Sequence, residues 1–172
     1  MLDGLLIALI VAAKYGLPVL LVWFPFGAGW ANFVLDAVDG DLLIPLGLSD
    51  PVYQNIDKSA DYVTYIFMVL ASRRWPMFRW LVVFFAIRTV GQALFFITQN
   101  EFVFFLFPNF LEPMFLGYAT IRVLKKQDAP AFYQRHIVAI WAIVFLYKFQ
   151  DELLTHVINL DRTETIARLW PF

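Results

Sequence analysis

The sequence predicts an all-α polytopic transmembrane helical bundle of five or six spans, forming a single integral membrane domain over residues 1–172. Three observations predict it. Hydrophobic residues make up 61% of the chain, aromatic residues 19% and charged residues only 16%, with a positive mean hydropathy, well outside the soluble average. The apolar residues fall into runs of spanning length separated by proline, glycine and charged breaks. At 172 residues there is room for about four to six spans and no separate soluble domain.

The segments run at about 4–24, 27–44, 57–71, 77–98, 102–124 and 132–158. The first begins Met-Leu-Asp-Gly, with no basic leader and no small-residue cleavage site, and reads as a span rather than a removed signal. Pro18, Pro25, Gly27 and Gly29 interrupt the first two segments, so one of them is expected to be short, broken or re-entrant. Pro45, Gly47, Ser49, Asp50 and Pro51 make residues 44–55 a loop, and Pro76 and Pro130 mark stops before the fourth and sixth segments. The phenylalanines of the later segments (Phe84, Phe85, Phe95, Phe96, Phe102, Phe104, Phe105) read as packing or lipid-facing surface. Trp75, Trp80 and Trp170 are placed to anchor at the interface, Trp141 less so.

Charge is unevenly distributed. Arg73, Arg74 and Arg79 lie in the third connection, and Arg122, Lys125, Lys126 and Arg135 flank the fifth; two spans separate these connections, so they share a side. The positive-inside rule makes that side cytoplasmic and puts the aspartate loop, Glu101 and the end of the sixth segment on the opposite face. These basic groups are short and juxtamembrane, which favours membrane lipid as partner and no nucleic acid. With no cysteine, disulfides and thiolate chemistry are excluded. The net charge of −1 points to no class of partner.

Four aspartates, Asp36, Asp39, Asp57 and Asp61, border these apolar runs, where carboxylates are costly and usually functional. Asp36 and Asp39 are three apart and Asp57 and Asp61 four apart, so on helices each pair shares a face and the two faces can clamp a divalent cation. From Asp36 the chain runs Asp-Ala-Val-Asp-Gly, and Asp57 and Asp61 follow after Tyr53. This 26-residue stretch resembles the signature of the CDP-alcohol phosphatidyltransferases, Asp-x2-Asp-Gly-x2-Ala-Arg-x8-Gly-x3-Asp-x3-Asp. All four aspartates and Gly40 match at the family's spacing; Leu43-Ile44 stand in place of Ala-Arg, and Tyr53 in place of the second glycine. Ala60 before the last aspartate fits too, and Lys14 with Pro18 loosely resembles the family's first-helix Arg and Pro.

The resemblance implies a six-helix core and metal-dependent displacement of CMP from a CDP-linked lipid, with Mg²⁺ or Mn²⁺ held by carboxylates. It assigns Asp36, Asp39 and Asp57 as metal ligands. Asp61 would complete the metal site and accept the alcohol proton as the catalytic base, and Gly40 would bind substrate by letting the nucleotide approach the backbone. The aspartates have a simpler structural reading as helix ends, with Asp57 and Asp61 in a first turn and Asp39-Gly40 in a turn closing the second segment.

Other intramembrane polar residues are Arg88 and Glu112, expected to form an interhelical ion pair with Gln92 hydrogen-bonded alongside, and Glu152 with His156, one turn apart. The last two sit with Lys148 and Asp151 as a mutually satisfied cluster, or serve as further metal ligands or a proton relay beside the aspartates. Two other functional classes compete with the transferase: a non-catalytic membrane subunit packed against partner helices, in a homo-oligomer or a larger complex, and a cation-conducting protein using the carboxylates with Glu112 and Arg88.

Overall fold

The computed structural model describes residues 2–100 and 102–156, the side chains of residues 155 and 156 excepted. Glu101, the imidazole of His156 and Trp170 therefore lie outside the described residues. Within them the chain is all-helical. Helix α1 (Leu2–Gly16) passes into a 3₁₀ turn over Leu17–Val22, where Pro18 lacks the N–H that an α-helix would use. Leu2–Val22 and Phe78–Thr98 are each long and apolar enough to cross a membrane.

Pro25 opens α2 (Pro25–Leu43), and α3 (Asp50–Ala71) follows a short turn. In that turn Gly47 adopts φ +104°, a conformation open to glycine, and the N–H groups of Gly47 and Leu48 donate to the carbonyls of Ile44 and Leu43. Two expectations are corrected here. The loop read over residues 44–55 is helical from Asp50 onward, because Pro51 falls in the first turn, where its missing N–H costs nothing, and Asp50 complements the helix dipole. Asp57 and Asp61 consequently sit deeper than a first turn, and Asp39-Gly40 lies within α2 rather than in a closing turn.

Helix α4 (Phe78–Thr98) ends at Gln99, in the left-handed conformation. The fifth segment is broken into α5 (Phe102–Leu106) and α6 (Leu111–Lys125) around Pro108, and Asn109 Oδ1 accepts the otherwise free N–H of Glu112 at 3.3 Å. The sixth is broken into α7 (Ala129–Arg135) and α8 (Ile137–His156) at His136, with Pro130 inside the first turn of α7 rather than before it.

One half of the bundle is an apolar core around Leu21, Met68, Leu81, Leu111, Met114 and Phe115, all fully or nearly fully buried. Trp75, expected at the interface, is instead buried in this core, its ring 4.7 Å from Phe115 and 5.0 Å from Tyr118. Trp80 stays half-exposed. The phenylalanines divide: Phe84, Phe95 and Phe104 are buried, whereas Phe96 and Phe102 face outward. Exposed leucines, isoleucines and valines cover the outer faces of α1, α4 and α8, an apolar surface of the kind that meets a membrane or another protein.

Gly91 is where α4 meets the Phe107 break: a Cβ there would lie 2.7 Å from Phe107 Cβ. Gly91→Ala is expected to cost about 1–3 kcal/mol by overpacking, read as a lower unfolding midpoint in detergent. Gly117→Ala, which meets open space, should leave the midpoint unchanged or slightly raised.

Candidate functional site

The site is built where α1, α2 and α3 converge. One turn of α2 presents Asp36 and Asp39, and α3 presents Asp57 and, one turn on, Asp61. Carboxylate oxygens of Asp36, Asp39 and Asp57 lie within 4.8 Å of one another, a cluster that can hold a metal ion. Oxygen ligands suit hard divalent cations such as Mg²⁺.

At the centre of this cluster stands the ammonium of Lys14, carried in by α1. It donates to Asp36 Oδ1 at 3.2 Å, to Asp57 Oδ1 at 2.5 Å and to Asp39 Oδ2. Lys14 is 3% exposed and Asp39 fully buried. The second oxygens of Asp39 and Asp57 are also engaged: the Tyr53 hydroxyl donates to Asp39 Oδ1 at 2.9 Å and Lys58 Nζ to Asp57 Oδ2 at 2.6 Å. Asp36, a third exposed, is the member that opens outward. Burying these carboxylates would cost several kcal/mol per charge without such partners, and the lysine supplies the positive charge that a metal would otherwise bring.

Gly40 and Asp61 have surroundings of their own. Tyr53 lies over Gly40, where an added Cβ would come within 2.9 Å of its hydroxyl, so the space above the glycine backbone is filled by this ring rather than left for a nucleotide. Asp61 stands apart from the three-carboxylate cluster, accepts a hydrogen bond from Tyr65 at 3.3 Å, and lines the adjoining cavity.

That cavity, about 1070 Å³, runs from Asp36 and Asp61 past Lys58 and Arg88 to Glu112, Lys148 and Glu152. Phe33, Ile140, Ile143 and Val144 are among its apolar lining, and Ile143 is 67% exposed. The end of α8 thus meets the aspartates around one cavity. There Lys148 pairs with Asp151 at 2.5 Å and Glu152 at 3.2 Å. The expected Arg88–Glu112 pair is replaced: Arg88 pairs with Glu152 at 3.8 Å, donates to the Phe107 carbonyl at 3.1 Å and lies 4.1 Å from the centroid of Phe104. Glu112 instead accepts from Asn109 at 3.2 Å, because the break at Pro108 turns Asn109 toward it. Gln92 donates to the Lys58 carbonyl, not to Arg88. The Glu152–His156 pair falls on the imidazole outside the described residues.

Sequence reasoning passed over Lys58 and Tyr65, named Asn109 only as a neighbour of Glu112, and gave Lys14 only a loose role. A lysine alone in the apolar α1 run was the available signal for Lys14; nothing local marked the other three. Asn109 joins the two polar groups, donating from its backbone to Glu152 at 3.1 Å and from its amide to the Tyr65 hydroxyl at 3.0 Å. Compared with known proteins, the chain matches no family model, no curated protein and no solved structure.

If Lys14 is the neutralising charge, its removal must strand carboxylates. Lys14→Met is expected to destabilise the protein by about 3–5 kcal/mol in metal-free detergent solution. Adding Asp39→Asn should recover part of that loss, so that a double-mutant cycle by chemical unfolding gives a coupling of about 1–3 kcal/mol.

Proposed function

We propose that this chain is a divergent CDP-alcohol phosphatidyltransferase-like membrane protein of five or six spans, which binds Mg²⁺ or Mn²⁺ and acts on a phospholipid or related phosphoester. The observation that carries the reading is a cavity with both polar and apolar walls, lined by Asp36 and Asp61, with Asp36 clustered on Asp39 and Asp57 behind it. Such a cavity suits a substrate with a charged head and an acyl tail. Asp36, Asp39 and Asp57 would hold the metal, which when bound offsets charge on phosphate oxygens and aligns the attacking group. Asp61, outside the cluster but lining the cavity with Asp36, would take the proton of the attacking hydroxyl. Lys58 and Arg88, lining the same cavity, offer the positive charge that Leu43-Ile44 do not supply.

A second reading is supported by two observations: Lys14 occupies the cation position and Tyr53 covers Gly40. Both suit a non-catalytic subunit that has kept the motif as a structural ion network, with its exposed apolar faces against partner helices. In either case the basic turns, by their charge, would face the cytoplasm.

In lipid nanodiscs with Mg²⁺ or Mn²⁺, the transferase reading expects CMP release from a CDP-linked lipid in the presence of a small alcohol. Asp57→Asn or chelation should lower the rate at least ~100-fold, the order of effect of removing a principal electrostatic group. No metal-dependent release from any CDP-linked lipid would leave the subunit reading, which expects co-purification with a larger assembly.

A further inference from the structure

At the end of the bundle away from the aspartates, two turns distant in sequence bring cationic side chains together. Arg73 and Arg74 follow α3, Arg122 ends α6 and Lys126 begins the turn after it; all four line one pocket of about 630 Å³. Fourteen residues separate Asp57 from Ala71 along α3, so about 21 Å at 1.5 Å per residue lies between this pocket and the carboxylate cluster. Among the described residues no carboxylate lines it. Most other buried or grouped cations here are paired: Lys14, Lys58, Arg88 and Lys148 each contact a carboxylate.

The arrangement is held in place from several directions. The arginine turn is tied by the Trp75 N–H to the Ser72 carbonyl at 2.8 Å and the Phe78 N–H to the Trp75 carbonyl at 3.1 Å. Trp75, packed between Phe115 and Tyr118, forms a buried floor over which the Arg122 guanidinium lies at 5.5 Å from the ring centroid. On the other side Lys126 adopts φ 49°, ψ −115°, a backbone conformation rare outside glycine. Four like charges around one concavity repel one another, and an anion between them would offset that repulsion. The walls beside the charges are apolar: Val22 and Leu70 line the pocket, and Val123 and Leu124 are exposed next to Arg122.

We propose that this pocket binds the phosphate of an anionic phospholipid, the guanidinium groups of Arg73, Arg74 and Arg122 engaging phosphate oxygens and the acyl chains lying along Val22 and Leu70. Arginine binds phosphate through paired N–H groups, and juxtamembrane basic clusters attract anionic headgroups. The site is independent of the carboxylate cavity and of any catalysis there. A free phosphate shares the headgroup's chemistry but gains nothing from the apolar walls.

The test titrates the full chain, in a neutral detergent, with dioctanoyl phosphatidylglycerol, dioctanoyl phosphatidylcholine and inorganic phosphate by calorimetry. One phosphatidylglycerol per chain should bind, with phosphatidylcholine and inorganic phosphate each at least ~10-fold weaker. Arg74→Gln with Arg122→Gln should lower phosphatidylglycerol affinity at least ~10-fold, the effect of about one charge-assisted phosphate contact. Lys126→Gln, which removes only an exposed side chain, should lower it severalfold. Arg79→Gln, a cation outside the pocket, should leave it unchanged. Equal binding of the two lipids, wild-type affinity in the pocket variants, or an equal loss in Arg79→Gln would overturn the site. Inorganic phosphate binding as tightly as the lipid would overturn a lipid as its occupant.

Discussion

The carboxylate cluster of this bundle depends on one buried ammonium. Three carboxylates brought within 4.8 Å in an apolar surround would repel one another and lose their hydration together. Lys14, reaching from α1 to oxygens on α2 and α3, makes their burial tolerable and in doing so ties the three helices at one point. Tyr53 and Lys58 take the second oxygens of Asp39 and Asp57, so these two buried carboxylates are satisfied from within the chain. A network completed in this way rigidifies the helices it joins.

The same contacts define what a metal ion would have to do. A divalent cation competes with Lys14 for the same oxygens, and entry requires the ammonium to leave. The long, flexible lysine stem permits that movement, and the cavity beside Asp36 and Asp61 gives the displaced charge polar surroundings. Tyr53 imposes a second condition, since a ligand approaching the Gly40 backbone must first displace its ring. Under the proposed phosphoester chemistry, Lys14 and Tyr53 would both have to move before metal and substrate could enter.

How much of this was legible in the sequence follows from whether the cause is local. Helix and the shared faces of Asp36 with Asp39 and Asp57 with Asp61 come from periodicity, which neighbouring residues alone determine. Breaks were harder. Pro108 ends α5 and reshapes the site by placing Asn109, whereas Pro51 begins a helix, because proline disrupts only where its N–H was needed. His136 interrupts the last segment with no proline or glycine to announce it. Pairings across helices were not legible: Arg88 found Glu152 rather than Glu112, since the choice depends on how the broken fifth segment lies against α8. Trp75 looked like an interfacial anchor by position and became core by packing on Phe115. Lys14 is the sharpest case, because one charge in an apolar helix says that a partner exists but not which.

The central claim is that Lys14 holds the cation position of the carboxylate cluster. It is tested most directly by Mn²⁺ binding, followed by electron paramagnetic resonance, to the wild type, Lys14→Met and an Asp36→Asn, Asp57→Asn double variant in lipid nanodiscs. Removing the competing charge should tighten Mn²⁺ binding at least ~10-fold in Lys14→Met, equivalent to about 1.4 kcal/mol, and the double aspartate variant should bind none. Equal affinity in wild type and Lys14→Met would contradict the claim, and absence of binding in both would remove the metal site itself.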